Sequence, residues 1–220
     1  MECFILVTVL WVFSVCLHEF GHALVAYYGG DYTVVDKGYL TLNPIHYTHP
    51  VLSILMPVLF MMLGGIGLPG GAVYIERHLI RSRGWETSMS LAGPAMNLIL
   101  VLLISICFKA GWLMNDPQHI ASVSFAFLMY LQVWAILINL LPIPPLDGFQ
   151  AIAPWLPTDV SERLRATSTQ GLFFIFLALW MIRPLGEALT SLIYHIVYAL
   201  GVDPDVAYAG QMAFRFWEQM

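Results

Sequence analysis

Five stretches of this 220-residue chain contain no Asp, Glu, Lys or Arg: 3–17, 51–68, 88–108, 120–146 and 166–182. A membrane-crossing helix needs about 20 mainly apolar residues. In lipid, each backbone N–H and C=O must find its partner inside the protein. These two constraints predict an all-α polytopic membrane protein with little material outside the bilayer. Composition agrees: 59% of the residues are hydrophobic and only 10% are charged, against about a quarter charged in soluble domains. The net charge of −5 is thinly spread. There is no basic patch with interleaved aromatics, which argues against a nucleic-acid partner. The three cysteines, Cys3, Cys16 and Cys107, lie in apolar stretches and do not suggest a disulfide framework. The N-terminal run lacks the basic flank of a signal peptide, and cleavage there would sever the motif that follows from its helix.

That motif is His18-Glu19-Phe20-Gly21-His22. The spacing predicts a helix from about Cys3 to Tyr28, ended by Gly29-Gly30. Residues four apart on a helix are separated by ~6 Å of rise and ~40° of rotation. His18 and His22 therefore share a face and can hold one metal ion, with Glu19 about 100° round from His18. Polar groups at membrane depth are costly and read as a functional site. Cys16 points elsewhere and is not counted as a ligand.

Further along, His46 and His49 in the polar loop 31–50 have an i, i+3 spacing, but the flanking prolines disfavour a helix there. Residues 51–68, broken by Pro57 and several glycines, either span or re-enter. Gly71, Ala72 and Val73, with Tyr74 and Ile75, suggest a short extended strand. Arg77, Arg81 and Arg83 read as an ordinary juxtamembrane charge cluster. A helix from about Glu86 to Phe108 carries Ala92-Gly93-Pro94-Ala95-Met96-Asn97; its small residues permit close helix contact. Asn97 is either an interhelical hydrogen bond or a substrate contact. The next apolar run ends in Asn139-Leu140-Leu141-Pro142-Ile143-Pro144-Pro145-Leu146-Asp147-Gly148. Its prolines stop the helix, and irregular backbone at that depth is tolerated only where it lines a cavity or is buried in protein. Residues 1–153 read as a membrane-embedded core. Residues 154–220 read as a connector followed by one or two C-terminal helices of the same domain, the last short and peripheral.

His18, His22 and Asp147 form the His₂-carboxylate set of a catalytic zinc with a fourth position left for water. Glu19 stands where a general base for peptide hydrolysis would be needed. The three motifs, in this order on apolar segments, resemble the site-2 protease family of intramembrane zinc metalloproteases, in a compact form without PDZ-like or CBS-like insertions. The likeness covers about residues 3–150. It implies one Zn²⁺ per chain held by His18, His22 and Asp147, Glu19 as catalytic base, and a substrate that is itself a transmembrane segment in the lipid bilayer. It also implies substrate contacts from Asn139 and from an edge strand at Gly71 to Ile75. In the loop before residue 51, Tyr47 and His49 depart from the family pattern. Two other classes fit less of the sequence. A non-proteolytic metal-dependent membrane enzyme of the di-iron kind needs more histidine clusters, and a silent scaffold has no use for all four of Glu19, His18, His22 and Asp147.

The metal also constrains topology. The first helix and the helix before Asp147 must leave the membrane on one side, so either residues 51–68 are expected to re-enter rather than span, or the glycine-rich strand after them dips back in. That arrangement puts seven of the nine basic residues on the side of the site, against six for a plain six-span chain. By the positive-inside rule the mouth of the site is expected to be cytoplasmic.

Overall fold

The structure, a computed structural model, describes residues 1–43, 73–167, 177–178 and 181–218. The expected re-entry of 51–68, the histidines His46 and His49, and Gly71 and Ala72 lie outside these residues. Eight α-helices are described: α1 Glu2–Gly29, α2 Thr33–Asp36, α3 Arg83–Lys109, α4 Ile120–Asn139, α5 Asp147–Ile152, α6 Thr158–Ala166, α7 Arg183–Ala199 and α8 Pro204–Phe214. Short 3-10 turns at Arg77–Leu79 and Ala153–Trp155 link some of them.

Helices α1, α3 and α4 are each long and apolar enough to cross a membrane; α7 and α8, bent by 119° at their junction, make a fourth crossing if taken as one span. The protein is an integral membrane protein. Outward faces of the long helices are themselves apolar: Ile5, Val9 and Phe13 on α1, and Leu98, Leu102 and Ile106 on α3, are all exposed. In water such a surface would drive aggregation, but in lipid it is matched by its solvent.

Where helices meet, polar groups and small residues hold them. Helix α3 runs antiparallel to α1: Trp85 lies by Gly29, Ala92 by Gly21, and Val101 and Phe108 join Cys3 and Val7 in one apolar cluster. Helix α4 runs parallel to α1, since the Ser124 hydroxyl donates to Cys3 Sγ at 3.3 Å and Gln132 Nε2 donates to Ser14 Oγ at 2.6 Å. Both α1 and α4 therefore end on the same side, as a shared metal demands. The two flanks of residues 44–72 also meet at that end. Arg81 N–H donates to the Gly29 carbonyl at 2.9 Å, and Glu76 N–H to Asp31 Oδ2 at 2.8 Å. The chain thus leaves and returns at one end of α1.

Two features differ from the sequence reading. Val73–Glu76 is strand-like in composition, yet among the described residues there is no strand. β-branched and aromatic residues favour a pleated surface only where another strand completes the ladder, and here the Val73 and Glu76 N–H groups and the Tyr74 carbonyl find partners on α1 and its following loop instead. The last helix is built into the core rather than lying beside it. Val206, Ala207 and Phe214 are buried, and the Phe214 ring lies 5.1 Å from Phe4 and 5.4 Å from Phe127. This packing sits at the start of α1, away from the site.

The Ser14–Gln132 bond yields a first expectation. Both side chains are buried, and Gln132 Oε1 has no partner among the described residues. Ser14→Ala removes the partner of Gln132 Nε2 as well. Interhelical hydrogen bonds in membranes are worth up to about 1–2 kcal/mol, so the variant should lose about 1 kcal/mol in detergent unfolding. An unchanged midpoint would show that the bond contributes nothing.

Candidate metal centre

Three donors converge where α1, α3 and the turn after α4 meet. His18 and His22 project from one face of α1, as their spacing predicts. Their Nε2 atoms lie 3.0 Å apart. Asp147, the first residue of α5, brings Oδ2 to 3.2 Å from His18 Nε2 and Oδ1 to 3.4 Å from His22 Nε2. Ligands ~2.0–2.1 Å from a tetrahedral zinc stand ~3.3 Å from each other. The observed separations match. Among the described residues this is the one group of three or more His, Cys, Asp or Glu side chains that converges so.

The surroundings prepare these donors for a metal. His22 Nδ1–H donates to the Met89 carbonyl of α3 at 2.7 Å. That bond fixes the tautomer and leaves Nε2 as a lone pair. Asp147 Oδ2 is buried without a hydrogen-bond donor, an expensive state that a cation would relieve. Room for the ion comes from Gly93. A Cβ there would lie 2.3 Å from His22 Nε2 and 2.5 Å from His18 Nε2. The donor set, the spacing and this gap fit zinc.

Asp147 reaches the centre because the chain turns sharply after α4. Pro142, Pro144 and Pro145 end the helix, and the bond between the last two is cis. Gly148 then lies so close to the Leu140 carbonyl that a Cβ would meet its oxygen at 2.2 Å. Any side chain at 148 would lever Asp147 away. Thr87 of α3 ties down the far end of α5, its hydroxyl donating to the Ala151 carbonyl at 2.7 Å.

Glu19 is buried beside the donors, and its Oε2 accepts from the Val73 N–H at 3.1 Å. A cavity of about 650 Å³ opens from this point. It is lined by His18, Glu19, His22, Asn139 and Asp147, and on another side by Val73–Glu76. Pro94, inside α3, has no N–H and leaves the carbonyl of Ser90 on the cavity wall without its helical donor. Asn97 does not line the cavity; it is buried in α3, with Oδ1 unpartnered among the described residues.

Some contributors were not visible in the sequence. Met89 supplies a carbonyl, and its i, i+4 relation to Gly93 was the available signal. Arg77, read as part of a plain charge cluster, lines the cavity 4.0 Å from Glu86. Burial and the nearby Arg165 lower the pKa of its guanidinium, against the opposing pull of Glu86 and Asp147.

Fold and centre together define a membrane-embedded metalloprotein with a carboxylate poised beside a three-donor zinc site. Comparison with known proteins names the class. The Mycolicibacterium smegmatis protein "Putative zinc metalloprotease Rip2" is 46% identical over 97% of this chain and 81% of its own length. The Mycobacterium tuberculosis protein of the same name is 41% identical over the same shares. "Putative zinc metalloprotease YwhC" of Bacillus subtilis is 33% identical over 80% of each chain. No family model and no solved structure matches. The chain belongs to the site-2 protease family of zinc metalloproteases.

Proposed function

We propose that this chain is a zinc-dependent endopeptidase that cuts a peptide bond within or near the transmembrane segment of a membrane-protein substrate. The observation that carries this reading is the position of Glu19. It lies beside the His18, His22 and Asp147 donors, inside a cavity walled by three apolar helices long enough to cross a membrane.

When bound, zinc supplies a Lewis acid that acidifies a water and polarises the scissile carbonyl. Glu19 takes the proton from the attacking water and returns it to the leaving amine. Asn139 faces the reacting carbonyl as a hydrogen-bond donor. Val73, through its backbone, holds substrate that has been unwound, in the manner of strand addition; Gly71 and Ala72 extend this proposed contact outside the described residues. A helical substrate hides its peptide groups in its own hydrogen bonds, so an open backbone edge beside the centre is what such a reaction needs. The mouth of the cavity is placed on the cytoplasmic side by the positive-inside argument.

The test uses purified protein in liposomes and a single-span substrate of ~20 Leu and Ala residues broken by a central Asn-Gly. Zinc chelation should abolish cleavage and added zinc should restore it, with mass spectrometry placing the cut inside or at the edge of the apolar span. Cleavage that survives complete zinc removal, or that falls only in water-exposed flanks, would overturn the proposal.

A further inference from the structure

At the end of α1 the chain passes through Gly30 to Asp31, a carboxylate with no exposed surface. A buried carboxylate must be fully hydrogen-bonded or paired. Among the described residues Asp31 makes no ion pair; it is satisfied by three donors instead. Oδ1 accepts from the Thr33 N–H at 3.0 Å and from the Thr33 hydroxyl at 2.6 Å. Oδ2 accepts from the Glu76 N–H at 2.8 Å. The first two bonds are local and would serve any loop. The third spans 45 positions and fastens the segment that walls the cavity.

Lys37 fastens the same segment, donating to the Tyr74 carbonyl at 3.0 Å and to Glu76 Oε1 at 3.1 Å. At the segment's other end, Val73 N–H meets Glu19. There is little slack between these points. Glu19 to Gly29 is ~15 Å along the helix axis, while three residues of chain, Val73 to Glu76, reach at most ~10–11 Å. The side chains of Glu19 and Asp31 bridge the remainder. A shift at Glu76 is therefore passed to Val73.

We infer that Asp31, assisted by Lys37, is a positioning residue that sets the register of the Val73–Glu76 strap against α1 and so fixes which backbone groups meet the substrate beside Glu19. This rests on the protease reading above. Asp31 touches neither metal donor nor cavity. Its effect passes through the strap.

The test compares wild type, Asp31→Asn and Glu76→Pro in the same liposomes with the same Leu-Ala span substrate. Asparagine replaces one acceptor oxygen by an amide donor, so either the Thr33 pair or the Glu76 N–H loses its partner. Proline at 76 deletes the strap's N–H, together with the carboxylate that Lys37 holds, and leaves Asp31 in place; the φ of −80° there suits proline. Zinc content should stay at one per chain in both. Hydrogen exchange of the strap amides should accelerate at least ~10-fold, the scale of one lost hydrogen bond to a charged group. KM should rise ~10-fold while kcat stays within a factor of ~3. Wild-type exchange and KM in both variants would overturn the inference, as would loss of zinc with an unchanged strap. Should Asp31→Asn fail to fold, Glu76→Pro decides when read against Glu76→Ala, which removes the Lys37 anchor but keeps the N–H that Asp31 accepts. If wild type cleaves nothing, the protease reading fails, and exchange at the strap still decides the role of Asp31.

Discussion

Gly93→Ala should empty the centre of zinc although it alters none of the donors. The added methyl would lie 2.3 Å from His22 Nε2 and 2.5 Å from His18 Nε2. One of these must move. His22 is tethered through Nδ1 to the Met89 carbonyl of the same helix that carries the methyl, so it cannot swing away without breaking that bond. His18 faces Asp147 at 3.2 Å and would lose that neighbour. Disturbing the groups around a ligand set costs about 10- to 100-fold in metal affinity. A methyl aimed at two donors should reach at least the upper end. The measurement is zinc per chain by elemental analysis after dialysis against a graded chelator, with circular dichroism to confirm that the helices remain. Full zinc retention would mean that the gap beside Gly93 does not house the ion.

Glu19→Gln should do the opposite: keep the zinc and lose the reaction. Glutamine matches glutamate in shape, and its Oε1 can still accept the Val73 N–H now bonded to Glu19. It cannot carry a proton from water to a leaving amine. General acid–base groups contribute about 10²- to 10⁴-fold, and cleavage of the Leu-Ala span substrate should fall by ~10³-fold or more with KM little changed. Equal cleavage by the two proteins would remove Glu19 from the chemistry. Loss of zinc along with activity would instead make it part of the metal's support.

Much of this centre was legible in the sequence because its donors are unusual where they occur. Two histidines at helical spacing in an uncharged apolar run, and an aspartate behind three prolines, are too costly in lipid to persist there without a task. Asp31 offered no such signal. It follows two glycines in what reads as an ordinary loop, and its decisive partner, the Glu76 N–H, is a backbone group 45 positions away. Spacing rules describe neighbours along one helix, not contacts closed by the fold. Asn97 shows the same limit in reverse. It lies four residues beyond Gly93, hence ~6 Å further along α3 and ~40° round, enough to bury it off the cavity wall. Gly210 had no pattern at all to announce that α8 would press against the Val123 carbonyl, where a Cβ would lie 2.1 Å from the oxygen.

Helix α1 carries the donor turn at residues 18–22, the fastening point at Asp31 stands two residues past its end, and the rigid helix sets most of the interval between them. That makes the interval a gauge with both a length and a phase. One alanine inserted after Val25 would advance the far mark by ~1.5 Å and turn it by ~100°, carrying Asp31 off the face where the strap waits. Seven inserted residues would nearly restore the phase but overshoot by ~10.5 Å, about the whole length of the strap. Side chains along this part of α1 can be exchanged where packing allows, but if Asp31 sets the strap, the residue count between positions 22 and 31 should not change in either direction without loss of that register.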